Sequence, residues 1–388
     1  MKLNKLAYVI ATVVAGSNAS MAIAENVSLF DYEDATSAYE DAYINADFNL
    51  QSGNQDQTSY DLDLNLDYEK VLSSPDRNTK IDFSGYTSKY RGGNANDPTF
   101  TQYNATGSVT LDNYFEPNSN GAFWYGKGEL GLQKDMEDPY TKATVGIGYG
   151  RVVVATPMAK SIRLVEALTA RNILAQAPSK AVYQAIANVI AREDEYRAKY
   201  GAEDYEMTWI QDIENALGGN LGVQGAIKSY DILLNERIST RKYGWLVRAG
   251  VGAVLSDYDG SDGKPALELG AEYHMPLNNA TQFSNEAIFT AVLDDDDDSY
   301  RIRNEMSLTY EMTDRVDWEN SWVLDYLDNE STNDVTTNVL ASTYRYYISN
   351  ALSFSVTGAL TNLEDGINGN NNDKLDKSLV MGLTYRLK

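Results

Sequence analysis

Between Tyr60 and Glu69 every second residue is apolar. Tyr60, Leu62, Leu64, Leu66 and Tyr68 alternate with Asp61, Asp63, Asn65, Asp67 and Glu69. A period of two makes this a β-strand with one apolar and one charged face. The pattern occupies most of the chain. After a polar lead-in from Glu25 to about Asp41, the residues Ile44, Ala46, Phe48 and Leu50 share a face. Similar segments follow at about 79–90, 99–115, 122–134 and 141–154. They resume at about 242–256, 266–275, 280–292, 300–312, 316–327, 335–347, 352–362 and 374–388, about fourteen in all.

Segments apolar on one side and polar on the other fit a soluble sandwich or solenoid, apolar inside, or a transmembrane barrel, apolar toward lipid. Individual segments run to about 10–13 residues, as a tilted span requires, whereas soluble strands usually run about 5–6. Aromatic residues gather near segment ends, among them Tyr68, Trp124, Tyr273, Tyr300, Tyr326 and Tyr347, where interfacial girdles belong. The start of the chain supplies a route of export. Lys2 and Lys5 precede the apolar run Leu6–Gly16, and Ala22-Ile23-Ala24 is a small-x-small cleavage site before Glu25. Residues 1–24 therefore read as a signal peptide. Past them no run of 18 or more apolar residues offers a spanning helix. The expectation is an all-β transmembrane barrel of about fourteen antiparallel strands, six in residues 25–154 and eight in 239–388.

The last segment carries a resemblance. Val380-Met381-Gly382-Leu383-Thr384-Tyr385-Arg386-Leu387 resembles the C-terminal assembly signal of Gram-negative outer-membrane β-barrel (porin-like) proteins. In that family a glycine is followed three and five residues later by aromatic or apolar residues, here Gly382, Tyr385 and Leu387. The chain departs from it in ending on Lys388, where many members end on an aromatic. The resemblance implies insertion by the barrel-assembly machinery, and contact with outer-membrane lipid and lipopolysaccharide.

Strand parity then orients the connections. With the N-terminus in the periplasm, 51–57, 91–98, 135–140, 257–265, 293–299, 328–334 and 363–372 face outward. The turns at 73–78, 116–121, 276–279, 313–315 and 348–351 face the periplasm. The odd set is longer, as outer loops usually are. One even connection breaks the pattern, because residues 155–238 read as helix. Thr156 before Pro157 reads as an N-cap with proline at the first helical position. Met158, Ile162, Val165 and Leu168 follow at helical spacing, and Pro178-Ser179 restarts the pattern. Gly201 interrupts it, Gly218-Gly219 ends the next stretch, and Val223, Ile227, Tyr230 and Leu234 suggest one more helix. Three or four amphipathic helices can share a core. This periplasmic insertion would cap, gate or fill the barrel, or dock a periplasmic partner.

Charge narrows the function. The chain carries −24, and removing Lys2 and Lys5 with the leader takes it to about −26. A field of that sign repels nucleic acid. The insertion is nearly neutral, with nine Lys/Arg against eleven Asp/Glu between Ala155 and Ile238, so the acidity belongs to the barrel. Asp47, Asp61, Asp63, Asp67, Glu69, Asp82, Glu129, Glu268, Glu272, Glu305, Asp317, Glu319 and Asp325 share the lumen phase with Arg248, Arg301 and Arg303. A hydrated pore with that excess prefers cations. Arg301 and Arg303 are expected to oppose the carboxylates of the second strand as an ionic screen.

Remaining motifs favour plain readings. Asp294, Asp295, Asp296, Asp297 and Asp298 form an acidic outer-loop tip that lacks the spacing of a Ca²⁺ loop, and are weak candidates for divalent cations. No other cofactor is expected. Gly146, Gly148 and Gly150 alternate inside a strand, as small lumen-facing residues. His274 lies near Glu272, yet a metal site needs more ligands than this pair. With no serine beside His274 and no cysteine in the chain, nothing points to an enzyme. The sequence supports passive diffusion of small hydrophilic solutes through a cation-preferring channel. It also admits an exopolysaccharide export or surface-attachment component, or a closed structural barrel.

Overall fold

The computed structural model describes residues 27–33, 37–219, 221–293, 299–329, 333–349, 351–367 and 374–387. The expected leader and the run Asp294–Asp298 lie outside these residues. The strands are β1 (Ser37–Gln51), β2 (Ser59–Ser73), β3 (Arg77–Arg91), β4 (Thr99–Tyr114), β5 (Ala122–Gln133), β6 (Tyr140–Val154) and β7 (Lys242–Ser256). They continue as β8 (Lys264–Asn278), β9 (Thr281–Val292), β10 (Ser299–Thr313), β11 (Val316–Asn329), β12 (Val335–Tyr347), β13 (Leu352–Glu364) and β14 (Asp376–Arg386). Each pairs antiparallel with its sequence neighbours, and β1 meets β14 to close a fourteen-stranded barrel. β1 begins at Ser37, inside the stretch read as lead-in. Its Tyr39, Asp41 and Tyr43 keep the inward phase of Asp47, so polar residues there mark the lumen face and not a break in the strand.

The two faces differ as a membrane barrel requires. Outward residues such as Phe48, Val145, Ile147, Val251 and Leu379 are 60–68% exposed. A contiguous apolar belt left open to this degree has lipid as its natural neighbour. Among the described residues no helix is long and apolar enough to cross a membrane. This is the architecture of a closed, fourteen-stranded antiparallel β-barrel with an apolar outer face. Its closing seam is short: β1 and β14 pair only over Tyr43–Ala46 with Arg386–Leu383, whereas β1 and β2 pair along fifteen residues. Of the aromatic residues read as a girdle, Tyr347 turns inward, and its hydroxyl donates to Asp317 at 2.8 Å.

Between β6 and β7 the described residues form five helices: α1 (Thr156–Ala170), α2 (Lys180–Ile190), α3 (Glu193–Tyr200), α4 (Tyr205–Ala216) and α5 (Gly222–Tyr230). A π-helical turn, Asp231–Asn235, continues α5. Two expectations change here. Ala155, not Thr156, caps α1; the Thr156 hydroxyl instead accepts from the Arg241 N–H at 3.0 Å. The second periodic stretch ends at Ile190 and restarts as α3, whose three acidic residues occupy its first turn. Negative charge there is favourable against the helix dipole. Gly201, at φ +87°, stops α3 in a conformation glycine tolerates.

The helices share one core of Leu164, Leu168, Ile186, Trp209 and Ile213, all buried, with the Trp209 indole N–H donating to the Val189 carbonyl at 2.9 Å. That core also takes in Leu29 and Tyr32 from the N-terminal segment, Val153 from β6 and Ile238. The helical unit is therefore fused to one end of the barrel. That end carries the short turns, and the longer loops lie at the far end.

Candidate functional site

The barrel encloses a polar lumen, and its helical half is not empty. From β3, the Lys80 ammonium reaches 3.6 Å from Glu286 on β9, with Glu69 and Asp82 at 3.9 and 3.7 Å. From β7, Lys242 meets Glu69 of β2 at 2.7 Å, and Arg248 holds Asp112 of β4 at 2.6 Å while also pairing with Glu272 of β8. Lys127 and Lys142 share Glu129 and Glu268, the closest contact being Lys142 to Glu268 at 2.6 Å. Strands this far apart around the barrel can share an ion pair only where the lumen is narrow. Buried charges of both signs, matched and hydrogen-bonded, offset the loss of water that a lone charge could not.

Glycines shape the same wall. Gly146, Gly148 and Gly250 face inward, and a Cβ on Gly148 would lie 2.2 Å from the Phe123 ring. One on Gly146 would lie 2.5 Å from the Tyr125 ring. Their missing side chains let Phe123 and Tyr125, both fully buried, lie flat against β6 and β7. The alternating glycines thus serve aromatic packing.

Below the ion pairs, residues 236–241 cross the mouth as a strap. Arg237 leaves the helices and binds Asp41 of β1 at 3.4 Å and the Tyr43 hydroxyl. The Ser239 N–H donates to Glu311 of β10 at 2.6 Å, and its hydroxyl donates to Asp317 of β11 at 2.8 Å. Thr240 and Tyr39 share a hydroxyl contact of 2.6 Å. Arg241, with no exposed surface, pairs with Glu311 at 2.8 Å, and Arg163 of α1 binds the same carboxylate. The strap is tied to both sides of the barrel end. A cavity of about 440 Å³ lies at this level, lined by Tyr39, Glu69, Arg237, His274, Glu286 and Arg345 among others.

Toward the far end the balance changes. A vestibule of about 710 Å³ is lined by Asn49, Asp61, Asp63, Tyr86, Arg91 and Asp97. Asp63 accepts from the Tyr86 hydroxyl at 2.8 Å and Asp67 from Ser84 at 3.1 Å. Among the described residues no lysine or arginine comes within 4 Å of Asp47, Asp61, Asp63 or Asp67. The expected screen does not form. Arg301 grips Asp325 through two bonds on its own wall, and Arg303 is shared between Asp325 and Glu305. Their phase is as expected, but neighbouring carboxylates already hold them. On the remaining strands Arg345 holds Glu319 through two bonds of 3.0 Å.

Every lumen residue singled out in the sequence faces inward by strand register. Phase alone missed Asp112, Lys142, Lys242, Glu286 and Arg345, although each follows the same alternation. It also missed the strap, which has no periodicity. Of the C-terminal motif, Tyr385 and Leu387 are exposed on the outer side, and Gly382 lies against Asp47.

Outside the membrane, burial in the helical unit pushes the Lys160 ammonium down and the Glu166 carboxyl up from their ordinary ranges. Asp31 moves down: it accepts from the Ser28 N–H at 2.7 Å and from Lys180 at 3.1 Å, which docks the N-terminal segment onto α2.

Comparison with known proteins places the chain in a family. Residues 44–161 and 236–344, more than half of the sequence, match the family described as "Protein of unknown function, DUF481". The chain belongs to that family. The match leaves out most of the helical unit and includes the strap. A comparison with curated proteins found no match. Similar solved structures include OmpF of Salmonella typhi in complex with daunomycin, at 9% identity over 92% of this chain and 99% of that one, TM-score 0.34. A loop-deleted OmpT of Vibrio cholerae matches at 7% identity over 91% and 100%, TM-score 0.32. The translocator domain of NalP from Neisseria meningitidis matches at 5% over 99% and 94%, TM-score 0.29.

Proposed function

We propose that this DUF481 barrel is an outer-membrane channel that passes small hydrated cations passively and is shut at its helical end by the strap. The observation that carries this reading is the row Asp47, Asp61, Asp63 and Asp67, carboxylates facing the lumen with no lysine or arginine within 4 Å among the described residues. Such a wall concentrates cations and repels anions. In this reading the helical unit lies in the periplasm, because the short turns share its end and outer-membrane barrels keep short turns there. Lipid, lipopolysaccharide and the barrel-assembly machinery are the partners, Tyr385 and Leu387 belong to the assembly signal, and no reaction is assigned. Single-channel recording of the purified full chain tests it: brief cation-carrying openings are expected. A bilayer that stays silent both with the wild type and with a strap-released variant would overturn it.

A second reading has the helices dock export machinery for a surface polysaccharide. It is favoured by Met207, Val223 and Ile227, which stand 64–83% exposed on α4 and α5. A deletion strain with normal surface polysaccharide would count against it.

A further inference from the structure

His274 is the protein's one histidine, and its ring is 2% exposed inside the lumen of an acidic barrel. Its Nδ1 is within 2.9 Å of the Ser284 hydroxyl across the β8–β9 pair. Its Nε2 is buried and among the described residues has no hydrogen-bond partner. That nitrogen points between two carboxylates, with Glu272 at 3.6 Å and Glu286 at 3.8 Å. These separations are too long for hydrogen bonds. They are close to the ~3.4 Å edge between ligands that share one tetrahedral ion at about 2.1 Å. The three ligand atoms all lie within 4.8 Å of one another.

We propose that His274, Glu272 and Glu286 form a lumen site for a divalent transition-metal ion, Zn²⁺ being the first choice. The donor set is one imidazole nitrogen and two carboxylate oxygens, a mixture that suits Zn²⁺ better than Mg²⁺ or Ca²⁺, which favour all-oxygen shells. Register creates the set: Glu272 faces Glu286, and His274 faces Ser284, on adjoining strands. Two glutamates opposite each other in a ladder repel unless a cation lies between them. Ser284 orients the ring from behind, as outer-shell groups do at metal sites. His274 and Glu286 line the 440 Å³ cavity, so the ion has a path from the lumen and water can complete its coordination. Arg248 binds the other oxygen of Glu272, leaving the oxygen nearest His274 free of it. Lys80 is the competitor, 3.6 Å from the second oxygen of Glu286, and must yield part of its hold when the ion enters.

Equilibrium dialysis of the folded, detergent-solubilised full chain against Zn²⁺ alone tests the site. One ion per chain is expected. His274→Ala and Glu286→Gln should each weaken binding by about tenfold or more. Replacing Asp294–Asp298 with asparagine should leave the stoichiometry unchanged. Lys80→Met removes the competing ammonium and should tighten binding by about tenfold, a gain that a misfolded barrel cannot imitate. Binding that survives His274→Ala, that disappears with the acidic run, or that weakens in Lys80→Met would overturn the proposal. So would a wild type that binds no ion.

Discussion

Glu311 holds the strap at two points, Ser239 and Arg241, and α1 at a third, Arg163, so its replacement by glutamine reports on the gate. Its carboxylate side chain is 3% exposed, accepts from the Ser239 N–H and from Arg163, and forms an ion pair with Arg241; Arg241 has no exposed surface and Arg163 is 22% exposed. Glu311→Gln keeps the shape but leaves Arg241 buried without its anion. Breaking a buried pair from one side costs about 3–5 kcal/mol. The lower end, ~3 kcal/mol, applies because Arg163 stays partly in water and water screens it. The penalty falls on the closed arrangement, since a released strap returns Arg241 to solvent. At ~1.4 kcal/mol per tenfold, the ratio of closed to open falls by about a hundredfold. Planar-bilayer recording of the folded protein measures this directly as open probability. Glu305→Gln is the control, because its side chain is 52% exposed, pairs with Arg303 and among the described residues makes no bond to the strap. Open probability unchanged in Glu311→Gln, or raised equally in Glu305→Gln, would refute the strap as the gate.

Three further outcomes follow from local contacts. Gly148→Ala places a Cβ 2.2 Å from Phe123 and 2.7 Å from the Val247 carbonyl, costing about 1–3 kcal/mol, whereas Gly128→Ala meets nothing within 4 Å; urea midpoints of the folded barrel should separate the two. Trp209→Ala removes the largest buried side chain of the helical core and its bond to Val189, a loss of about 3–5 kcal/mol, and limited proteolysis should cut the helices while the barrel stays intact. The Ser28 N–H and Lys180 depress the Asp31 carboxyl, so the folded state holds its proton less tightly than the unfolded chain. The stabilisation is present above the ordinary carboxylate range and is lost as pH falls through the lowered value. The protection of the Ser28–Asp31 amides, taken relative to their intrinsic exchange rates at each pH, should therefore fall on acidification, and Asp31→Asn should flatten that response.

Strand period made most of this barrel legible. In Asp61–Glu69 one face must meet lipid and the other water, so each side chain declares its direction. Helix ends were legible where glycine or proline marks them, as at Pro178 and Gly201. The restart at Arg192 was not, because α3 has no apolar stripe of its own. Phase says that a residue points inward but not across which distance it meets its partner. Arg301 and Arg303 therefore looked free to screen β2, when Asp325 and Glu305 beside them take both. His274 looked solitary for a related reason: Glu286, twelve residues on, becomes its neighbour only through the β8–β9 register. The strap had no signal, since it reaches three distant strands through polar contacts of four irregular residues, Arg237, Ser239, Thr240 and Arg241.

Ion selectivity tests the central reading most directly. Reversal potential under a KCl gradient, recorded with Glu311→Gln to hold the strap open, should shift toward the potassium equilibrium value. It should collapse toward zero when Asp61, Asp63 and Asp67 are all replaced by asparagine. A reversal potential at zero or on the chloride side before those replacements, or one unmoved by them, would contradict a cation path along that wall.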